Sequence, residues 1–222
     1  MVARWSACSR TTRIESAQRF TGLSIAIPVE VAVTLGQQVL RLGIGADLLA
    51  AVPATTTEIP GSDDAPDVDK LLQQRFVALT RLAIAGELDA WDAEPTGALA
   101  LVLMLDQFPR QIWRDSAMAF AGDPKALTLS LRAVELGWLE VEQERPRQQF
   151  WLMPLMHSED LAVQEAALPL FDQFTDSRTV DVASRHRDVI ARFQRFPHRN
   201  AALGRVSSAA ELAFLQTPGS RF

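Results

Sequence analysis

The chain has 222 residues and a mass of 24.5 kDa, with 48% apolar and 22% charged residues, enough to bury a sizeable core as one domain with or without an appendage. A formal net charge of −5 and an isoelectric point near 5.3 argue against a general nucleic-acid binder, which would carry a broad basic field. The single cysteine, Cys8, excludes a disulfide framework and a cysteine-based metal site, and makes a reducing cytoplasm the expected setting.

In chain order, the first 22 residues hold Arg4, Arg10, Arg13 and Arg19 against Glu15 alone. That composition resembles an organelle transit peptide, yet no apolar stretch with a cleavage site follows, so it reads as an extension or an upstream start. The longest apolar candidate, Leu23 to Val52, is broken by Glu30, Arg41 and Asp47, and no segment qualifies as a membrane span. From Pro53 to Pro66 the chain is rich in Pro, Thr, Asp and Gly with no apolar period, the pattern of a linker or long loop. The resulting division is an extension over residues 1–60 with room for one helix, a linker over 61–67 and a helical domain over 68–222.

The domain reads as a series of helices. Val68, Leu71, Leu72, Phe76, Leu79, Leu82 and Ala83 fall at spacings of three and four, and Gly86 stands where that helix should end. Thr96 is expected to cap GALALVLMLDQF, apolar on every side until Asp106, with Pro109 as its stop. Asp123 and Pro124 supply an N-cap and a first-turn proline for a helix to Gly137, and Pro146 opens the next, which Pro154 should kink or end. Ser158 reads as the N-cap of a helix to about Phe174, with Glu159 and Asp160 in its first turn. Another runs from near Ser177 to before Pro197, and Ser208 with Glu211 has the spacing of a capping box for a short helix through Leu215. With no β-branched alternation or hairpin signal after residue 60, the fold class is all-α, and short loops imply antiparallel neighbours.

Nearly all the unusual polar residues lie in three segments that are expected to meet: LDQFPR (Leu105 to Arg110), MHSEDL (Met156 to Leu161) and RHRDVIARFQRFPHRN (Arg185 to Asn200). From Arg178 to Arg205 seven arginines face only Asp181 and Asp188, a local charge of about +5 suited to trapping an anion. Lysine occurs only at Lys70 and Lys125, and arginine forks suit bidentate carboxylate or phosphate contacts.

These three motifs, with the closing ELAFLQTPGSRF, follow in an order that resembles the uncharacterised DUF924 family of bacterial proteins over about residues 68 to 222. The resemblance implies a tetratricopeptide-like fold of antiparallel helical hairpins stacked as a right-handed superhelix, and it implies no reaction. The chain departs from the family at its front, where Leu40 to Leu49 stands in place of a Trp- and Phe-rich opening helix.

Each polar residue has a plain reading beside a functional one. His186 shares a helical face with Val182, Val189, Ile190 and Phe193, so it should point inward, as a satisfied core imidazole or as a general acid or base. The stripe of Arg185, Asp188, Arg192 and Arg195 opposite is a solvated ion-pair face or an anion site. His157 precedes a helix start whose amides and acids either cap the helix or, with its ring, orient a ligand. Asp106 interrupts an apolar helix and needs a partner, either Arg110 or an arginine of 185–199. His157, Asp160, His186 and Asp188 do not match a metal-site spacing, so neither a metal nor a cofactor is expected. Nucleophile elbows and nucleotide loops are absent, no tyrosine occurs, and Trp113, Trp138 and Trp151 belong to the core.

Two functions fit. In one, a groove lined by Arg110, Arg187, His198, Arg199 and Asn200 binds a small carboxylate or phosphate or an acidic peptide, with self-association allowed and no nucleic acid or membrane as partner. In the other, an enzyme uses His157 or His186 as acid or base with Asp106 or Asp160 as orienter, arginines holding an anionic substrate. A histidine and a carboxylate in hydrogen-bond reach beside a closed pocket would favour the enzyme, and the same groups along an open groove the binder. Interhelical ion pairs without a cavity would leave the clusters purely structural.

Overall fold

A computed structural model describes residues 68–220, with side chains from Phe76 onward. The expected extension and linker, residues 1–60 and 61–67, lie outside the described residues. Among the described residues there is no strand, and the fold is all-α.

Helix α1 (Val68–Ala85) ends as its sequence demands, at Gly86 with φ +90°. Phe76 and Ala83 on its inner face are buried. A 3₁₀ turn (Asp89–Ala93) then leads to α2 (Pro95–Val102), whose flanking residue is Glu94 and not the expected Thr96. Pro95 causes the difference: its fixed φ and missing N–H suit the first helical position and leave Thr96 one step inside.

Pro109 was expected to stop this segment and does not. The chain widens into a π turn (Leu103–Gln107), with Phe108 N–H donating to the Leu103 carbonyl, and continues as α3 (Phe108–Ile112). The widened turn accommodates a proline that cannot serve the Leu105 carbonyl. Gly122 closes on that same peptide: a Cβ there would lie 2.2 Å from the Leu105 oxygen and 2.8 Å from its Cα, so only glycine fits.

A 3₁₀ turn (Ala117–Phe120) precedes α4 (Asp123–Glu135), which starts one residue earlier than expected, with Gly122 in the cap position and Asp123 already helical. Gly137 (φ +70°) separates α4 from the single turn α5 (Trp138–Val141). In α6 (Arg145–Met156) Pro146 occupies the first turn, as read, while Pro154 is carried inside the last turn. The cap of α7 (Leu161–Phe174) is Asp160, not Ser158; its carboxylate accepts from Ala162 and Val163 N–H at 2.9 and 3.5 Å. Asp176 caps α8 (Ser177–Phe193), which closes at left-handed Gln194. After a 3₁₀ turn (Pro197–Arg199), the capping box of Ser208 and Glu211 opens α9 (Ala209–Leu215) as its spacing predicts.

Helices α6, α7 and α8 pack on one another in sequence, α4 lies against α6, and α3 lies against α1. The segment Ala98 to Leu105 runs through the middle and is sealed from solvent together with Phe108, Trp151, Leu152 and Phe171. Each such side chain contributes about 1.5–3 kcal/mol of burial free energy. Trp151 is thus core as expected, whereas Trp113 and Trp138 only edge it. Asp106 enters this apolar interior on the π turn, which sets the problem the site solves.

Candidate functional site

A fully buried carboxylate must find partners, and Asp106 has three side chains around it. The His157 ring nitrogen Nδ1 lies 2.7 Å from Oδ1 and 3.0 Å from Oδ2, Arg110 Nη1 lies 3.2 Å from Oδ1, and Gln107 donates to Oδ2. Arg110, one turn on, also donates to the Asp106 carbonyl. Burial raises the Asp106 pKa, but Arg110 and His157 outweigh it and hold the carboxyl well below its usual range. An ionised Asp106 accepts, so neutral His157 carries its proton on Nδ1 and leaves Nε2 as a lone-pair acceptor. Burial, then the charges of Arg110 and Arg199, push the His157 pKa down despite Asp106, so the ring is neutral at pH 7.

A second carboxylate completes the cluster. Asp123, on the first turn of α4, takes a bidentate fork from Arg110 at 2.9 and 2.9 Å and a third bond from Arg199 Nη1 at 2.9 Å. Arg199 Nη2 donates to the His157 carbonyl at 2.9 Å, so the same guanidinium fixes the backbone beneath the imidazole. Its carbon lies 4.7 Å from the centroid of Phe120 and 4.6 Å from that of Phe196, stacked between two aromatic faces. Two arginines and two aspartates thereby neutralise one another, with His157 at their edge.

The ring of His157 forms part of the wall of a cavity of about 430 Å³, with Gln107, Arg110, Arg185, His186 and His198 among its neighbours. His186 is buried as expected, its Nδ1 2.8 Å from the Val182 carbonyl and its ring centroid 5.9 Å from that of His157. Burial and the neighbouring His157 depress its pKa to about 3. His198 is depressed to about 4 by burial and by Arg199. Both rings are neutral over the physiological range.

The three polar segments of the sequence therefore meet here, contributing Asp106 and Arg110, His157, and His186, His198 and Arg199. Other expected site residues lie elsewhere. Asp160 is exposed and occupied as a helix cap. Arg187 pairs with its neighbour Asp188 at 3.0 Å, away from the cavity. Asn200 is buried in the C-terminal turn, donating to Ser207 Oγ at 3.0 Å and Glu211 Oε1 at 3.3 Å. Sequence reasoning missed Asp123, which looked like an ordinary helix cap, and Gln107. Among the described residues no three His, Cys, Asp or Glu side chains are grouped to hold a metal ion, and no helix is long and apolar enough to cross a membrane.

Residues 61–219, which include every residue of this cluster, match the family described as bacterial protein of unknown function, DUF924. The chain belongs to this family. A solved structure similar to it, titled as a protein of unknown function, ATU0120, from Agrobacterium tumefaciens, shares 30% identity with a TM-score of 0.69, covering 83% of this chain and 98% of that one. No curated protein matches the chain. The LDQFPR motif by which the sequence resembles DUF924 here runs from the π turn that carries Asp106 into the start of α3 that carries Arg110, which gives that motif a structural meaning.

Proposed function

We propose that the protein is an acid–base enzyme acting on a small anionic molecule, with His157 moving the proton and Asp106 holding its ring. The observation that carries this reading is the 2.7 Å contact between His157 Nδ1 and Asp106 in the wall of the cavity. A carboxylate on Nδ1 selects the tautomer with a free Nε2 lone pair and steadies the imidazolium that forms when Nε2 accepts a proton. The depressed pKa keeps that lone pair available at pH 7. Arg110 and Arg199 are committed to Asp106 and Asp123, so they position the dyad, and Arg185 at the cavity supplies the charge for an anionic substrate.

The same reading takes the helices as a tetratricopeptide-like superhelix of stacked hairpins, with the site on its concave face. Its support is that α6 and α8, two helices apart in the sequence, both front the cavity while α7 packs behind them. The lone Cys8 supports a cytoplasmic setting.

The test is a panel of small carboxylates and phosphates, screened for saturable thermal shifts and then for turnover by NMR. The expected result is a compound that binds wild type and His157→Gln alike but is turned over about 10²–10⁴-fold more slowly by the variant. Binding without turnover across the panel, or turnover indifferent to His157→Gln, would overturn the proposal.

A further inference from the structure

The cavity beside His157 does not end at the dyad. A second depression, also of about 430 Å³, shares Met153, Met156 and Val182 with it, so the two form one continuous groove with an apolar middle. Helical geometry explains its length. On α6, Pro146, Gln149, Met153 and Met156 recur at spacings of three and four, and on α8 so do Arg178, Val182 and Arg185; each set is one face of its helix. The Met pair gives the floor a flexible, polarisable surface that adapts to an unbranched apolar chain.

Charge is concentrated at the two ends. Arg185 flanks the dyad end, while Arg145 and Arg178 flank the far end, where Arg145 Nη1 reaches the Thr175 carbonyl at 3.5 Å. Unlike Arg110 and Arg199, these three make no ion pair among the described residues. Asp176, the acid lining the far end, is occupied in capping α8 through Thr179 N–H at 2.7 Å. An acidic protein thus keeps three exposed guanidinium groups along one groove, with the Asp176 carboxylate beside Arg178 as the acid at the far end. Arg178 and Arg185 are two turns apart, about 10 Å at a rise of about 1.5 Å per residue.

From this arrangement we infer that the groove binds an elongated small-molecule dianion: two anionic groups about 10 Å apart joined by an apolar chain, one group at Arg185 beside His157 and the other at Arg145 and Arg178. This names the substrate class of the proposed site and rests on that reading for its chemistry, but not for its binding.

Calorimetric titration of the full-length protein with linear α,ω-dicarboxylates from succinate to dodecanedioate, with matching monocarboxylates and a short acidic peptide, tests it. Affinity should rise with chain length to an optimum between suberate and sebacate and exceed that of the matching monocarboxylate about tenfold. The double variant Arg145→Gln, Arg178→Gln should remove that advantage, bringing each diacid down to the affinity of its matching monocarboxylate in the same variant. A flat length series, a diacid advantage that survives the double variant, or a preference for the acidic peptide over every diacid would overturn the inference. Because titration reads binding alone, diacids that bind without turnover would leave the groove intact and remove the acid–base reading of His157. A turned-over short substrate indifferent to Arg178 would do the reverse.

Discussion

Two arginine–carboxylate knots stand close together in this fold, made of the same side chains and built to different ends. Around Glu211, Arg195 donates at 2.6 and 2.8 Å, Ser208 N–H at 2.7 Å and Asn200 at 3.3 Å, so the carboxylate ties the chain after α8 to the start of α9. Those hydrogen bonds, Arg195's first, hold its pKa far below the usual range, and neither Glu211 nor Arg195 lines the cavity beside His157. Around Asp106 the carboxylate is sealed in the core and one of its partners is an imidazole in a cavity wall. The first knot closes a turn. The second holds a titratable ring in place, which a turn does not require, and this difference is why only the second is read as a site.

The sharpest way to break that contrast is to remove the buried carboxylate. Asp106→Ala leaves Nδ1–H of His157 and part of the Arg110 fork without a partner in the core, and should cost about 3–5 kcal/mol of unfolding free energy in urea titration. A cost near that of an exposed pair, below about 1 kcal/mol, would mean that Asp106 is reached by water and that the two knots do not differ in kind.

Acid separates the knots next. The folded His198 takes its proton only near pH 4, the unfolded one near 6.5, so between these values the unfolded state binds more protons and stability falls as pH falls. His186, at about 3, acts in the same sense over a wider range. The slope should reach at most about 1.4 kcal/mol per pH unit for each ring, and His198→Asn should remove one share of it in unfolding measured between pH 4 and 6.5. Glu211 shifts in the same direction, but for a carboxylate a lowered pKa favours the charged form: it stabilises above the unfolded value of about 4.3, and that contribution is lost only as pH drops below it. An unchanged slope in His198→Asn would remove His198 from the acid sensitivity and leave it to His186 and the carboxylates.

Much of this was legible in the residues. Gly86, Gly137, the Pro146 start, the Phe174 end and the Ser208–Glu211 box each use a local rule that tertiary packing left alone. What failed were contests between near-equal local choices. Ser158 and Asp160 both offer a capping oxygen; Ser158 uses its hydroxyl on Asp160 N–H at 3.2 Å, and Asp160 caps α7. Pro109 removes the N–H that would serve the Leu105 carbonyl without stopping the chain from continuing through a π turn, and Gly122 packs against Leu105 in that turn, a tertiary contact no local rule shows. The site was half legible. The segments that meet are named by their odd composition, yet Asp123 reads as a cap because nothing local says that two distant arginines converge on it. Arg187 and Arg185 look equivalent in RHR, but they stand about 200° apart around the helix, and only Arg185 reaches the cavity.

The smallest effect tests whether the knots are independent. Ser208→Ala deletes the hydroxyl that accepts from Glu211 N–H at 3.3 Å, and should cost about 1 kcal/mol, the ordinary worth of an N-cap. Asn200 and Arg199 are adjacent in the chain, one holding Glu211 and the other Asp123 and the His157 carbonyl. If the Glu211 knot only fastens α9, the NMR titration of His157 should be the same in Ser208→Ala as in wild type. A displaced His157 titration would show that strain passes from Asn200 to Arg199 and into the dyad, and the C-terminal knot would then belong to the site's support and not to chain closure alone.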